Sequence, residues 1–274
     1  MINSINIDPE IFSKKVRCDV LRMLHMTKAS HIGSCFSVAD ILAVLYVRVL
    51  KINPSQPRMN DRDRVIISKG HAAAVVYATL AHCGYFPIEW LYKYCENGGL
   101  LAGHVSDQVP GVEISSGSLG HGLSVAVGMA LAAKINKKSW NNYVVMSDGE
   151  CDEGSIWEAA LLAGHHRLKN LIVLIDFNKI QSFGRVEDVL RLEPFGDKWR
   201  AFGWNVMEVN GHDHHQLEAE IKKCIEDSQG PSVFICHTIK GKGVSFMEDK
   251  IDWHYKSPNE EQLLLALSEL GLSK

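Results

Sequence analysis

The sequence predicts an α/β fold: a doubly wound, mainly parallel sheet flanked by helices. Two apolar, β-branched runs, Tyr143-Val144-Val145-Met146 and Leu171-Ile172-Val173-Leu174-Ile175, read as strands buried on both faces. The stretch between them, 155–167, has helical patterning and is rich in Ala and Leu, which gives a βαβ unit. Further strands alternate with helical segments along the chain, the pattern of a parallel sheet with helices on its faces.

Taken in order, 11–26 and 37–50 read as helices with an apolar stripe. Ser37 is the expected N-cap of the second, with Asp40 three residues on in a loose capping-box pattern. Residues 53–62, with two prolines, form a loop leading to a strand at 64–68. A helix follows at 71–82, closed by Gly84. Residues 100–118 are Gly-rich and irregular, and long loops of this kind usually have a functional reason. The next helix is expected at 122–134, and later strands at 205–209 and 232–237. No linker, low-complexity stretch or internal repeat interrupts the chain. Its 274 residues have room for one large α/β domain or two small ones.

Two short segments carry the chemistry. Ser147-Asp148-Gly149 and Asp176-Phe177-Asn178 each follow a strand directly, so Asp148 and Asn178 fall at carboxyl ends of strands. Open α/β sheets place ligands there. A carboxylate, a carboxamide oxygen and nearby backbone carbonyls are hard oxygen ligands, suited to Mg2+, which completes its octahedron with water and phosphate oxygens. The pair reads as a clamp for a metal diphosphate. Each segment alone is also ordinary turn chemistry, since Gly tolerates positive φ and Asp caps helices. The Gly-x-x-Gly-x-Gly stretch from Gly117 to Gly122 is not a dinucleotide fingerprint: no clean strand precedes it, and no acidic residue sits at ribose distance. A phosphate- or ring-contacting loop feeding a helix N-terminus fits better, beside a plain turn and helix start.

Composition limits the alternatives. Apolar residues at 46% and charged residues at 22% fit a globular domain with a sizeable core. A net charge of −3 gives no electrostatic case for nucleic acid. The uninterrupted apolar stretches look too short for a bilayer span, so no membrane partner is expected. Met1-Ile2-Asn3-Ser4-Ile5-Asn6 lacks the basic start and apolar core of a signal peptide. Seven cysteines, an odd number with no Cys-x-x-Cys pair, imply reduced thiols and a cytoplasmic location.

The Asp-Gly element with Asn178 thirty residues beyond Asp148 resembles the thiamine diphosphate signature. The surrounding motifs resemble transketolases, in family order. They are Ala29-Ser30-His31-Ile32-Gly33-Ser34, Ser68-Lys69-Gly70-His71-Ala72, Gly103-His104, Gly117-Ser118-Leu119-Gly120-His121-Gly122, Gly149-Glu150-Cys151-Asp152-Glu153-Gly154, Thr238-Ile239-Lys240-Gly241-Lys242-Gly243 and Trp253-His254. The resemblance runs from about residue 10 to about residue 258. The chain departs from it at Ser147, where the family usually has Gly, at Ile32, often Pro, and at His121, often Gln.

The resemblance implies a thiamine diphosphate-binding fold. Asp148, Asn178 and the backbone carbonyl of Ile180 would hold Mg2+, with Ca2+ or Mn2+ as substitutes. Ser34, His71, Gly117, Ser118, Leu119, Gly149, Glu153, Asn178, Lys240 and His254 would contact the cofactor. His31, His71, His104 and His254 match the family's active-site histidines, where proton transfers to and from sugar hydroxyls suit imidazole. Glu153 matches a Glu where subunits meet, and its other reading is charge balance at a helix N-terminus. His165, His166, His212, His214 and His215 have no such match and read as surface or structural.

Every motif belongs to the first of the three domains in a full transketolase. The resemblance therefore implies one diphosphate-binding domain over residues 1–274. The pyrimidine-binding and C-terminal domains are expected on a separate chain, together with the activating Glu and the phosphate-binding arginines. The expected assembly has two copies of each chain, and the expected activity is transfer of a two-carbon ketol unit between sugar phosphates, as in the pentose phosphate pathway. The alternatives are a subunit tuned to an unusual sugar (sulfo- or branched), another thiamine enzyme such as a 2-oxoacid dehydrogenase α subunit, and a non-catalytic regulatory or scaffold subunit. The Ser-Lys-Gly-His and Trp-His elements favour the transketolase side, and the short length argues against an intact deoxyxylulose-phosphate synthase.

Overall fold

The computed structural model describes residues 7–271, so the 1–6 segment read above for a leader lies outside the described residues. Five strands form one all-parallel sheet: β1 (Arg64–Ile67), β2 (Asn142–Ser147), β3 (Leu171–Phe177), β4 (Asn205–Asn210) and β5 (Ser232–His237), in spatial order β1-β2-β3-β5-β4. Side chains alternate strictly across it. Tyr143, Val145, Ile172, Leu174 and Phe234 enter one core, and Val144, Met146, Val173, Ile175 and Val233 enter the other.

On the first face lie α1 (Pro9–Thr27), α2 (Ile32–Val44), α3 (Ala73–His82), and later α8 and α9 (His214–Asp227 and Glu260–Glu269). The second face carries α4 (Gly122–Ile135), α5 (Gly154–His165) and α7 (Phe195–Ala201); a short α6 (Val186–Val189) precedes α7. Asp8 caps α1 by accepting from Glu10 N–H at 2.8 Å, with Pro9 at the first helical position.

Two sequence expectations need correction. The second helix starts at Ile32, not Ser37, and continues as a π-helical turn to Val49. Every residue of α2 is buried, so it has no apolar stripe from which a start could be read. Ser37 lies inside it and caps nothing: its Oγ donates to Ser34 O (3.1 Å) and Asp176 Oδ2 (2.6 Å). Asp40 likewise forms no capping box. It is buried and paired with Arg17, His212 and His214. Ile32–Val49 is also long and apolar enough to cross a membrane by length and composition, although Ser34, Ser37, Asp40 and Arg48 interrupt its apolar residues. In this fold 89% of it is buried among α1, α3, α8 and the sheet, where it serves as a core helix.

Candidate active site

All five parallel strands end on one rim, and the functional motifs are the first residues after four of those ends. Ser68-Lys69-Gly70-His71 follows β1, Asp148-Gly149 follows β2, Asn178 follows β3, and Thr238-Ile239-Lys240 follows β5. α2 adds His31 and Ser34 at its N-terminus, the irregular 100–118 loop adds His104 and Gly117, and a 3₁₀ turn at Ile251–His254 adds His254. Of these, His31, Ser34, His71, His104, Gly117, Asp148, Gly149, Asn178, Lys240 and His254 line a cavity of about 450 Å3, which also takes in Leu119, Glu153, Ile180, Gln181 and Phe183.

The predicted set therefore converges, with one exception. Ser118 is exposed and does not line the cavity. Glu153 is an exposed cavity residue at the N-cap of α5, and its side chain makes no capping bond. His121 is exposed at the start of α4. His212 and His214 are structural, both bonded to buried Asp40 at 2.7 and 3.0 Å, whereas His165 and His215 are exposed.

The cavity floor is acidic and oxygen-rich. Asp148, 2% exposed, accepts from Gly149 N–H (2.8 Å) and Lys179 N–H (2.6 Å). Burial, joined by the neighbouring Asp176 carboxylate, still pushes its pKa up to about 6. A buried carboxylate that lacks positive charge is what a divalent cation would relieve. Asn178 donates through Nδ2 to Ser37 Oγ (3.4 Å) and Asp176 Oδ2 (3.3 Å), while its Oδ1 accepts from Ile180 N–H (3.1 Å) and keeps a second lone pair. The Ile180 carbonyl accepts from Lys240 Nζ at 2.9 Å. One carboxylate, one carboxamide and one carbonyl fit a hard cation that keeps water and phosphate ligands. Among the described residues no three His, Cys, Asp or Glu side chains gather as an all-side-chain metal centre.

Above the floor, four imidazoles face one another. His31 lies 5.3 Å from His71, 5.9 Å from His104 and 5.1 Å from His254, ring centroid to centroid. His31 adopts φ 77° and donates its N–H to His254 O at 2.8 Å, which ties the 3₁₀ turn to the start of α2. Ser34 Oγ meets His71 Nε2 at 2.8 Å. Lys240 Nζ lies 3.0 Å from His254 Nδ1; the ammonium donates, so neutral His254 carries its proton on Nε2. Burial lowers the His31 pKa to about 4, with help from His104, Lys240 and Lys69, and lowers that of His254 to about 3, with help from Lys240 and His31. The same burial brings the Lys240 pKa to about 8.

These shifts carry a stability consequence. Below their ordinary value of 6.5 the two histidines take up protons in the unfolded chain but not in the fold, so the unfolded state binds more protons and stability falls as pH falls. The stabilisation is complete above 6.5 and is lost as pH drops toward about 3–4. Melting temperature measured by circular dichroism without cofactor should fall across that window, and less steeply in the His31→Gln/His254→Gln double variant. Equal slopes would contradict the assignment.

Gly70 shows why small residues stand in these motifs. A Cβ there would sit 2.3 Å from the Ser116 carbonyl and 2.7 Å from Gly117 N, both backbone. Gly70→Ala should cost about 1–3 kcal/mol in urea unfolding, because the 116–117 loop must move. An unchanged midpoint would refute that packing.

Three buried charged positions beside the site escaped the sequence reading. Lys69 and Asp176, both 0% exposed, form a buried ion pair. Glu150, also buried, accepts from Ser68 Oγ, Gly120 N–H (2.9 Å) and Ser147 N–H (3.4 Å), stitching three motifs together. All three lie inside quoted motifs, but only the sheet order reveals their partners.

A parallel sheet whose rim gathers oxygen ligands, an ammonium and four imidazoles around one cavity defines a cofactor-dependent α/β enzyme domain. Residues 10–274 match the thiamine diphosphate binding domain of transketolase, and the chain belongs to the transketolase family. It is 41% identical over 262 residues to a subunit of the apulose-4-phosphate transketolase of Phocaeicola vulgatus, covering 96% of this chain and 93% of that protein. It is 40% identical over 265 residues to the 6-deoxy-6-sulfo-D-fructose transketolase subunit SqwG of a Clostridium species, covering 96% of each. Over nearly its whole length it thus corresponds to the N-terminal subunit of split transketolases. Among solved structures it superposes on Campylobacter jejuni transketolase with a TM-score of 0.89 at 30% identity, covering 98% of this chain but 44% of that one.

Proposed function

We propose that the chain is the diphosphate-binding subunit of a two-chain transketolase that moves a two-carbon ketol unit between sugars. The observation that carries this reading is the convergence of Asp148, Asn178, Lys240 and four histidines on one cavity at the strand ends. Asp148, Asn178 Oδ1 and the Ile180 carbonyl would hold Mg2+, and Gly149 and Lys240 would lie against the diphosphate. When bound, thiamine diphosphate supplies the carbanion chemistry. The chain's own part is to bind and orient. His31, His71, His104 and His254 present imidazoles able to exchange protons with sugar hydroxyls. A bound diphosphate would oppose the ammonium charges of Lys240 and Lys69 and so raise the pKa values of His31 and His254 toward neutrality.

The proposed organisation is a single diphosphate-binding domain. The chain spans less than half of the solved transketolase it matches, and two relatives matched nearly end to end are named as subunits. Both facts support a partner chain carrying the pyrimidine-binding domain, in an assembly of two copies of each. The names of those two relatives also favour an unusual donor, such as a sulfo-sugar, over the ordinary pentose phosphates. Thiamine diphosphate titrated calorimetrically into the chain copurified with its partner tests the cofactor assignment. Binding should require Mg2+ and vanish with EDTA; binding indifferent to EDTA would overturn the metal clamp.

A further inference from the structure

A fully buried ion pair, Lys69 with Asp176, lies just behind the cavity floor. Lys69 Nζ reaches Asp176 Oδ2 and, at 3.3 Å, the Ser34 carbonyl. Asp176 also accepts from Thr238 Oγ1 on its other oxygen, and from Ser37 Oγ and Asn178 Nδ2 on Oδ2. One carboxylate thus binds residues from β1's exit, α2, β3's exit and β5's exit. Burying two ions costs several kcal/mol each, and apolar replacements of such pairs are often neutral or stabilising. Global stability is therefore a weak reason for the pair to be here.

The geometry offers a better reason. A carboxamide can present either its oxygen or its NH2 group to a neighbour. Asp176 Oδ2 and Ser37 Oγ are both placed to take donors from the Asn178 amide, and this compels Nδ2 inward and leaves Oδ1 as the end able to serve a cation. Lys69 supplies the countercharge that lets Asp176 stay ionised in the core, and it anchors Ser34, whose hydroxyl meets His71. We propose that the Lys69–Asp176 pair is the positioning element that sets the Asn178 carboxamide oxygen-outward for a divalent cation. The inference rests on the cofactor reading above.

The test is Mn2+ binding followed by electron paramagnetic resonance in the presence of thiamine diphosphate, on the chain copurified with its partner, alongside melting curves of the unliganded protein. Lys69→Met/Asp176→Asn removes both charges and keeps the shape. With Asn at 176 the Asn178 amide is free to turn over. If the correct orientation falls to a tenth of the population, apparent affinity drops tenfold. The expected result is a loss of Mn2+ affinity of tenfold or more, with a melting temperature close to wild type. Wild-type affinity in that double variant would overturn the inference. Should the double variant fail to fold, Asn178→Asp gives the answer independently. It adds a carboxylate to the metal site, and charge alone would tighten Mn2+ binding. It also replaces the donor that Asp176 Oδ2 requires with a like charge, so the proposal expects weaker binding. Tighter or equal binding would overturn it. A wild-type complex that takes up no Mn2+ with thiamine diphosphate would sink the cofactor reading itself, and the inference with it.

Discussion

Asp148→Ala is expected to abolish metal-dependent binding of thiamine diphosphate. Asp148 is the one carboxylate of the proposed oxygen set, and it sits at the end of β2 with two backbone N–H groups fixing its orientation. Partners that merely orient a metal ligand are worth ~10–100-fold in affinity, so losing the anionic ligand itself should exceed that range. The fold should survive, since removing the side chain also removes a buried carboxylate poorly matched by positive charge. Calorimetry with Mg2+ would measure the loss, and circular dichroism would check the fold. Wild-type affinity in a folded variant would remove Asp148 from the site.

His254→Ala should behave differently. The ring stands 5.1 Å from His31 and 6.1 Å from His71, with Nδ1 held by Lys240 and Nε2–H as its other polar end. None of the proposed metal ligands depends on it. Cofactor affinity should therefore stay near wild type, while ketol transfer slows by ~10²–10⁴-fold, the usual worth of a positioned proton-transfer group. Steady-state rates in the two-chain complex would separate the outcomes. A full-speed variant would leave His254 with only its backbone role, accepting the His31 N–H.

The site was legible in the sequence because each motif begins where an apolar strand stops. β2, β3 and β5 announce themselves as β-branched runs, and in a parallel sheet their exits share one rim. What stayed hidden depends on partners far apart in the chain. Lys69 has no partner visible in the sequence until β1 is laid beside β2 and β3, which brings it to Asp176, 107 residues away. Asp40 reads as a capping residue, yet it bonds His212 and His214, more than 170 residues on, through the packing of α2 against α8. The start of α2 was misplaced because a helix buried on every side has no period to read. α8 did carry a usable signal, with Asp213 as N-cap and Leu217, Ile221 and Cys224 on one face.

The central claim is that this chain supplies the diphosphate half of a transketolase active site and needs a second chain for the rest. The most direct measurement is a ketol-transfer assay with thiamine diphosphate and Mg2+, run with and without the partner chain, using xylulose 5-phosphate and 6-deoxy-6-sulfo-D-fructose as alternative donors and ribose 5-phosphate as one acceptor. Product is expected only when both chains are present. Turnover by this chain alone would contradict it.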